Sequence, residues 1–192
     1  MNWLFVGLAT YVFLAFDVGL KDLFEIGHSG VQPSFLLIFM VFVASLATTS
    51  HALWTSLLVG LVIDLAGASY RGDTAAITLL GPHALGFTLG AAVVLQLRTL
   101  VYRRHPLTMA FLTFFAGLIA HLLATLLISI RWLLASRLAW FEPFAWDPSG
   151  EIVVRFFSVM YSAVIAIPVG WSLMLTAPLF GLSSHGRLGE LR

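Results

Sequence analysis

Residues able to do acid–base or ligand chemistry are sparse in this sequence. Those of most interest sit in apolar surroundings: Asp17, His51, Asp64, His83 and His121. Asp64 is the most informative. It interrupts the apolar half of GLVIDLAGASYRG, residues 60–72. An ionised group at the centre of a bilayer costs from ~2.5 to more than ~10 kcal/mol, so such a carboxylate faces protein or water. One reading makes Asp64 a ligand or ion site. The other, which we favour, makes it structural, paired with Arg71 or Arg131 or capping the backbone of the following turn. Asp17 reads as an interfacial residue at the end of the first apolar run, and His51 as an interface residue beside Trp54. His83, His121 and Asp64 can be drawn as a metal site. However, there is no HExxH and no histidine pair at i, i+4, so packing roles are expected for both histidines and no metal is expected. A nucleophile elbow, a Walker loop and a paired-acid motif are all missing. Gly67 and Gly72 flank a turn rather than a phosphate cradle. The sequence therefore offers no catalytic residue and no cofactor site, and a non-enzymatic role is expected.

The elements that position these residues follow from composition. Of 192 residues, 60% are hydrophobic and 10% charged, with a mean hydropathy of +0.99; soluble domains run near ~45–50% and ~25%. The expected class is an all-α polytopic membrane protein, a single integral membrane domain over 1–192. Continuous apolar runs, not alternation, argue for helices over a barrel. About six spans are expected, at 3–20, 34–48, 51–66, 74–100, 107–130 and 152–180. The run from Ser34 to Ala66 is too long for one crossing at ~1.5 Å per residue, so it is split into a hairpin at Thr48–His51. Gly81-Pro82 should kink the fourth span or delay its start. Residues 131–151, rich in Trp, are expected to form an interfacial loop, and 181–192 a short polar tail. The lack of cysteine excludes disulfides and thiolate metal sites, and a net charge of +1 gives no reason to expect nucleic acid as a partner.

Small residues recur at helix-packing intervals. Gly86 and Gly90 form a GxxxG pair, Ala116, Ala120 and Ala124 repeat every four residues, and so do Ser158, Ser162, Ala166 and Gly170. Such ladders let helices approach closely, and packing within the bundle is the expected use. Six spans place both termini on one side. The compact basic loop YRRHP, with Arg103 and Arg104, makes that side cytoplasmic by the positive-inside rule.

The stretch GLVIDLAGASYRGDTAAITLLGPHALG resembles the rod shape-determining protein MreD family. The resemblance rests on Gly60, then Asp64-Leu65, small residues, and Gly72, leading into an apolar helix. The chain length, the number of spans and the basic loop are similar to that family as well. The loop after the fifth span is longer and richer in Trp, and ASYRGD is more charged, which bears on partner contacts more than on the fold. The resemblance implies a scaffold subunit of the bacterial inner membrane in the lateral cell-wall elongation complex. Its partners would be MreC, MreB and the peptidoglycan glycosyltransferase–transpeptidase pair, in contact with membrane lipid. Gly60 and Asp64 would stabilise the turn after the third span, Arg71, Gly72 and Asp73 would present the outer loop, and Arg103 and Arg104 would meet cytoplasmic partners or anionic lipid. The family's fold is similar to that of the substrate-binding S components of energy-coupling-factor vitamin transporters, which supplies the alternative. An S component needs a polar outer pocket, which Asp64, Arg71 and Asp73 would line, but the spans carry few polar groups for it.

Overall fold

The computed structural model describes residues 1–27, 29–67, 69–71, 76–100, 106–137 and 147–182. Its helices are α1 (Trp3–Gly19), the short α2 (Lys21–Phe24), α3 (Phe35–Leu46), α4 (Thr49–Gly67), α5 (Pro82–Leu97), α6 (Pro106–Arg137) and α7 (Pro148–Thr176). A 3-10 turn, Ala177–Phe180, follows α7. Three stretches are long and apolar enough to cross a membrane: Thr49–Ala66, Leu107–Ala135 and Pro148–Phe180. Helices α1, α3 and α5 are apolar but shorter. The protein is thus a helical membrane protein.

Helix α3 organises the bundle. From Phe35 to Ser45 every residue is buried. A helix that is apolar on all sides belongs inside protein or membrane, and α3 packs against α1, α4, α5, α6 and α7. With 12 residues it is about 18 Å long at ~1.5 Å per residue, well short of a ~30 Å hydrocarbon core. Neighbouring side chains complete both of its ends. At the C-terminal end the Arg98 guanidinium donates to the carbonyls of Ala44 (3.0 Å) and Ala47 (2.6 Å). A cation there also complements the negative end of the helix dipole.

The structure corrects several expectations. The all-α class omits an antiparallel hairpin, β1 (Ser69–Arg71) with β2 (Ala76–Thr78), in which Tyr70 pairs with Ile77. The fourth expected span, α5, begins at Pro82 rather than near residue 74, the delayed start that Gly81-Pro82 led us to expect. Gly81 precedes it with φ +114°, a conformation suited to glycine, and proline fits the first helical position because its missing N–H is not needed there. The interfacial loop assigned to 131–151 is shorter, because α6 continues to Arg137 and α7 starts at Pro148. Residues 138–146 of that loop and 183–192 of the tail lie outside the described residues. Asp147 caps α7: its carboxylate accepts from the Ser149 hydroxyl (2.7 Å) and from the amides of Ser149 and Gly150 (3.2 Å each).

The expected small-residue ladders meet in the α5–α6 interface. A Cβ on Gly86 would collide with the carbonyl oxygen of Ala120, and one on Gly90 would come within 2.8 Å of the carbonyl oxygen of Ala116. Gly86-xxx-Gly90 and Ala116-xxx-Ala120 are therefore the two halves of one contact, with backbone against backbone.

Candidate functional site

Two carboxylates from the C-terminal ends of α1 and α4 each close the N-terminus of another helix. A helix leaves its first four N–H groups without intrahelical partners, which is costly where water is scarce. Asp17 supplies acceptors for α3: Phe35 N–H donates to Oδ1 (2.6 Å), and Leu36 N–H and the Ser34 hydroxyl donate to Oδ2 (3.1 Å each). Ser34 Oγ then takes the Leu37 amide at 3.2 Å. Asp17 is therefore not a free interfacial residue but part of the α3 start.

Asp64 does the same for α5. It is fully buried. Gly81 N–H (2.8 Å) and Ala84 N–H (3.2 Å) donate to Oδ2, and His83 N–H (3.1 Å) donates to Oδ1. Pro82 carries no N–H, so this single carboxylate meets every backbone donor from Gly81 to Ala84. Oδ1 also lies 2.8 Å from His83 Nδ1. The Arg155 Nη1 lies 3.4 Å from His83 Nε2. If that guanidinium donates to Nε2, Nδ1 carries the ring proton and points it at Asp64. The cap comes four residues after Gly60, hence on the same face of α4. A Cβ on Gly60 would lie 2.5 Å from Ala84 Cα and 2.6 Å from the His83 carbonyl oxygen. Gly60 admits the first turn of α5, and Asp64 binds it. Leu65, the next residue of the pattern, turns outward and is 60% exposed.

Asp64 thus caps a backbone, and the side chain it bonds is His83; the side chain of Arg71, one of its two expected partners, lies outside what is described. Arg71 contributes backbone to β1, while Gly72 and Asp73 lie outside the described residues, as do Arg103 and Arg104. His51 packs edge-on against Trp3, with ring centroids 5.6 Å apart. His83 and His121 meet edge-to-face at 6.3 Å. Asp64, His83 and His121 therefore do converge, but as a hydrogen-bonded pair and a ring contact. Among the described residues no group of three or more His, Cys, Asp or Glu could hold a metal ion.

Ser158 and Ser162 serve differently from the expectation. Ser162 Oγ accepts the Ser34 amide (2.8 Å) and donates to the Ser158 carbonyl (2.7 Å), and Ser158 Oγ accepts the Gln32 amide (3.2 Å). The two hydroxyls hold the extended residues that lead into α3, whose amides have no helix or sheet to pair with.

These groups surround a cavity of about 340 Å³ where the N-terminal parts of α3, α5 and α7 meet. Asp17, Gln32, His83, His121, Glu151 and Arg155 supply most of its polarity. Arg155 Nε donates to Glu151 Oε1 at 2.9 Å. Sequence reasoning missed Gln32, Glu151 and Arg155 as neighbours of Asp17 and His83. Glu151 and Arg155 come from α7, more than 60 residues along the chain from either, and Gln32 from the loop before α3, and no local spacing connects them. Asp64 does not line this cavity, contrary to the pocket sketched for an S component, because its oxygens are engaged by α5. The arrangement orders helices and offers polar contacts. Compared with family models, curated proteins and solved structures, the chain matches none of them.

Proposed function

We propose that this protein is a non-enzymatic scaffold of the bacterial inner membrane, a subunit of the lateral cell-wall elongation complex that resembles the MreD family. The observation that supports the reading is the use of the Gly60–Asp64 pattern. The carboxylate most open to a catalytic or transport role is buried and engaged by three backbone amides and a histidine. A motif built for interlocking two helices suits a protein whose work is to hold partners in place. In this reading the chain crosses the membrane six times with both termini in the cytoplasm. The shorter α1, α3 and α5 are completed by their flanking segments, and helix faces and loops bind MreC, MreB and the glycosyltransferase–transpeptidase pair.

Affinity purification of the tagged full-length chain from a rod-shaped bacterium, followed by mass spectrometry, tests this. Wall-synthesis partners should be recovered. Recovery of an energy-coupling ATPase without them would overturn the scaffold in favour of the S-component alternative. Orientation is testable separately. The chain has no cysteine, so a single cysteine in the C-terminal tail should resist an impermeant maleimide in intact spheroplasts, and one in the hairpin of residues 69–78 should react.

A further inference from the structure

His83 joins three helices through the two nitrogens of one ring. Itself on α5, it places Nδ1 2.8 Å from Asp64 Oδ1 of α4. Its Nε2 lies 3.4 Å from Arg155 Nη1 of α7. The two neighbours are chemical opposites: an ionised carboxylate only accepts, and a guanidinium only donates. In the neutral ring the proton therefore sits on Nδ1, and the Nε2 lone pair faces Arg155. A neutral imidazole has one donor and one acceptor, and this placement uses both.

A second proton has one place to go, Nε2. It sets N–H against N–H there, and a positive ring against a positive guanidinium, while Nδ1–H still holds Asp64. Like charges at this range repel. Arg155 is not free to turn aside. Its Nε donates to Glu151 Oε1 at 2.9 Å, one turn back on the same helix, so the guanidinium is tied to α7 and the push passes to the helix. Further along α7, Ser158 and Ser162 hold the residues before α3. The movement then falls on residues 148–157, whose Glu151, Val154 and Arg155 form part of the wall of the polar cavity. The other ionisable groups around the ring are His121 on α6, with its centroid 6.3 Å away, and Asp17 on α1 in the same cavity wall. Helix α3 carries none.

We propose that His83 is a proton-operated latch: the neutral ring joins α7 to the Asp64-capped start of α5, and protonation at Nε2 releases the first turns of α7 and widens the polar cavity. Histidine is the side chain whose unperturbed charge change falls between about pH 5 and 8. The latch concerns this chain alone and is independent of which complex it joins.

Two measurements on the full-length protein in lipid nanodiscs test it, each in an alkaline buffer of about pH 8 and an acid buffer of about pH 5.5. Nitrogen NMR of the histidine rings, with His83 identified as the signal lost in His83→Gln, should show a proton on Nδ1 alone in the alkaline buffer and on both nitrogens in the acid one. Spin labels on Leu80→Cys and Val153→Cys, exposed positions in a chain without cysteine, report the separation of α5 and α7 by pulsed electron resonance. That distance should widen in acid by about 2 Å, the scale of helix shifts in switching proteins. His83→Gln offers Arg155 an acceptor that cannot be charged, and should keep the short distance in both buffers. Arg155→Met removes the repelling group, and should give one distance in both. A ring protonated at Nε2 in the alkaline buffer, or a distance indifferent to pH, would overturn the latch. Acid widening that persists in His83→Gln or Arg155→Met would assign the response to Asp17, Glu151 or His121 and overturn it as well.

Discussion

Replacing Gly60 by alanine should destabilise the protein even though alanine is the better helix former. The new methyl would sit 2.5 Å from Ala84 Cα, 2.6 Å from the His83 carbonyl oxygen and 2.8 Å from the Ala84 nitrogen. Carbon atoms pack at about 3.5–4.0 Å, so α5 must withdraw by roughly 1 Å. All the nearest atoms are backbone, and no rotamer change relieves the contact. Asp64 projects from the same face of α4 and bonds the same turn at 2.8–3.2 Å. A withdrawal of about 1 Å carries those bonds beyond the range of a hydrogen bond. Polar contacts between membrane helices average ~0.6 and reach ~1.7 kcal/mol each, so losing three amides costs about 2–5 kcal/mol. Alanine's helix preference returns about 1 kcal/mol, leaving a net loss of about 1–4 kcal/mol. Equilibrium unfolding in mixed micelles, followed by fluorescence of the six tryptophans, measures it. Gly7→Ala is the control, since a Cβ there meets nothing within 4 Å; it should be neutral or slightly stabilising. The Gly60→Ala/Asp64→Asn double variant should be clearly less destabilised than the sum of the two singles, because the first already breaks what the second removes. Equal stability of Gly60→Ala and Gly7→Ala, or simple additivity, would refute the interlock.

Asp64→Asn keeps one acceptor oxygen but turns an amide donor toward backbone donors, and should cost about 1–3 kcal/mol in the same unfolding assay; unchanged stability would remove its capping role. Arg98→Met leaves the Ala44 and Ala47 carbonyls without this donor and should cost about 1–3 kcal/mol, with hydrogen exchange rising first at the C-terminal end of α3. For Asp147, the Ser149 hydroxyl first and then the Gly150 amide hold the carboxyl below its usual value. Its folded value is therefore depressed: the cap's contribution is present above the unfolded carboxyl pKa and is lost as pH falls through the folded one. An NMR titration of Asp147 should give a midpoint below 3.8, which Ser149→Ala raises; a midpoint at or above 3.8 would remove the cap.

Much of the fold was legible because a bilayer reduces the problem. Apolar runs, GxxxG spacing and Gly81-Pro82 are local signals, and each corresponds to a helix, a contact or a helix start. The ends of elements were less legible. The extent of α6 and α7 depends on where backbone donors find acceptors, and hydropathy does not register this. The serine ladder was read for size alone, and its hydroxyls also serve the amides before α3, which needed acceptors.

The sequence by itself determined that this chain is helical and membrane-bound, and that Asp64 needed a partner: an apolar run cannot leave a carboxylate bare at any reasonable cost. Only the tertiary structure decided who the partners are. Asp17 lies 17 residues before Ser34, Asp64 lies 17 before Gly81, and Arg98 lies 51 after Ala47. Each joins a side chain to the end of a different helix, and such pairings follow from how helices cross, not from spacing along the chain. The same crossing gathers Gln32, His121 and Arg155 around one cavity, although nothing in the sequence sets them side by side.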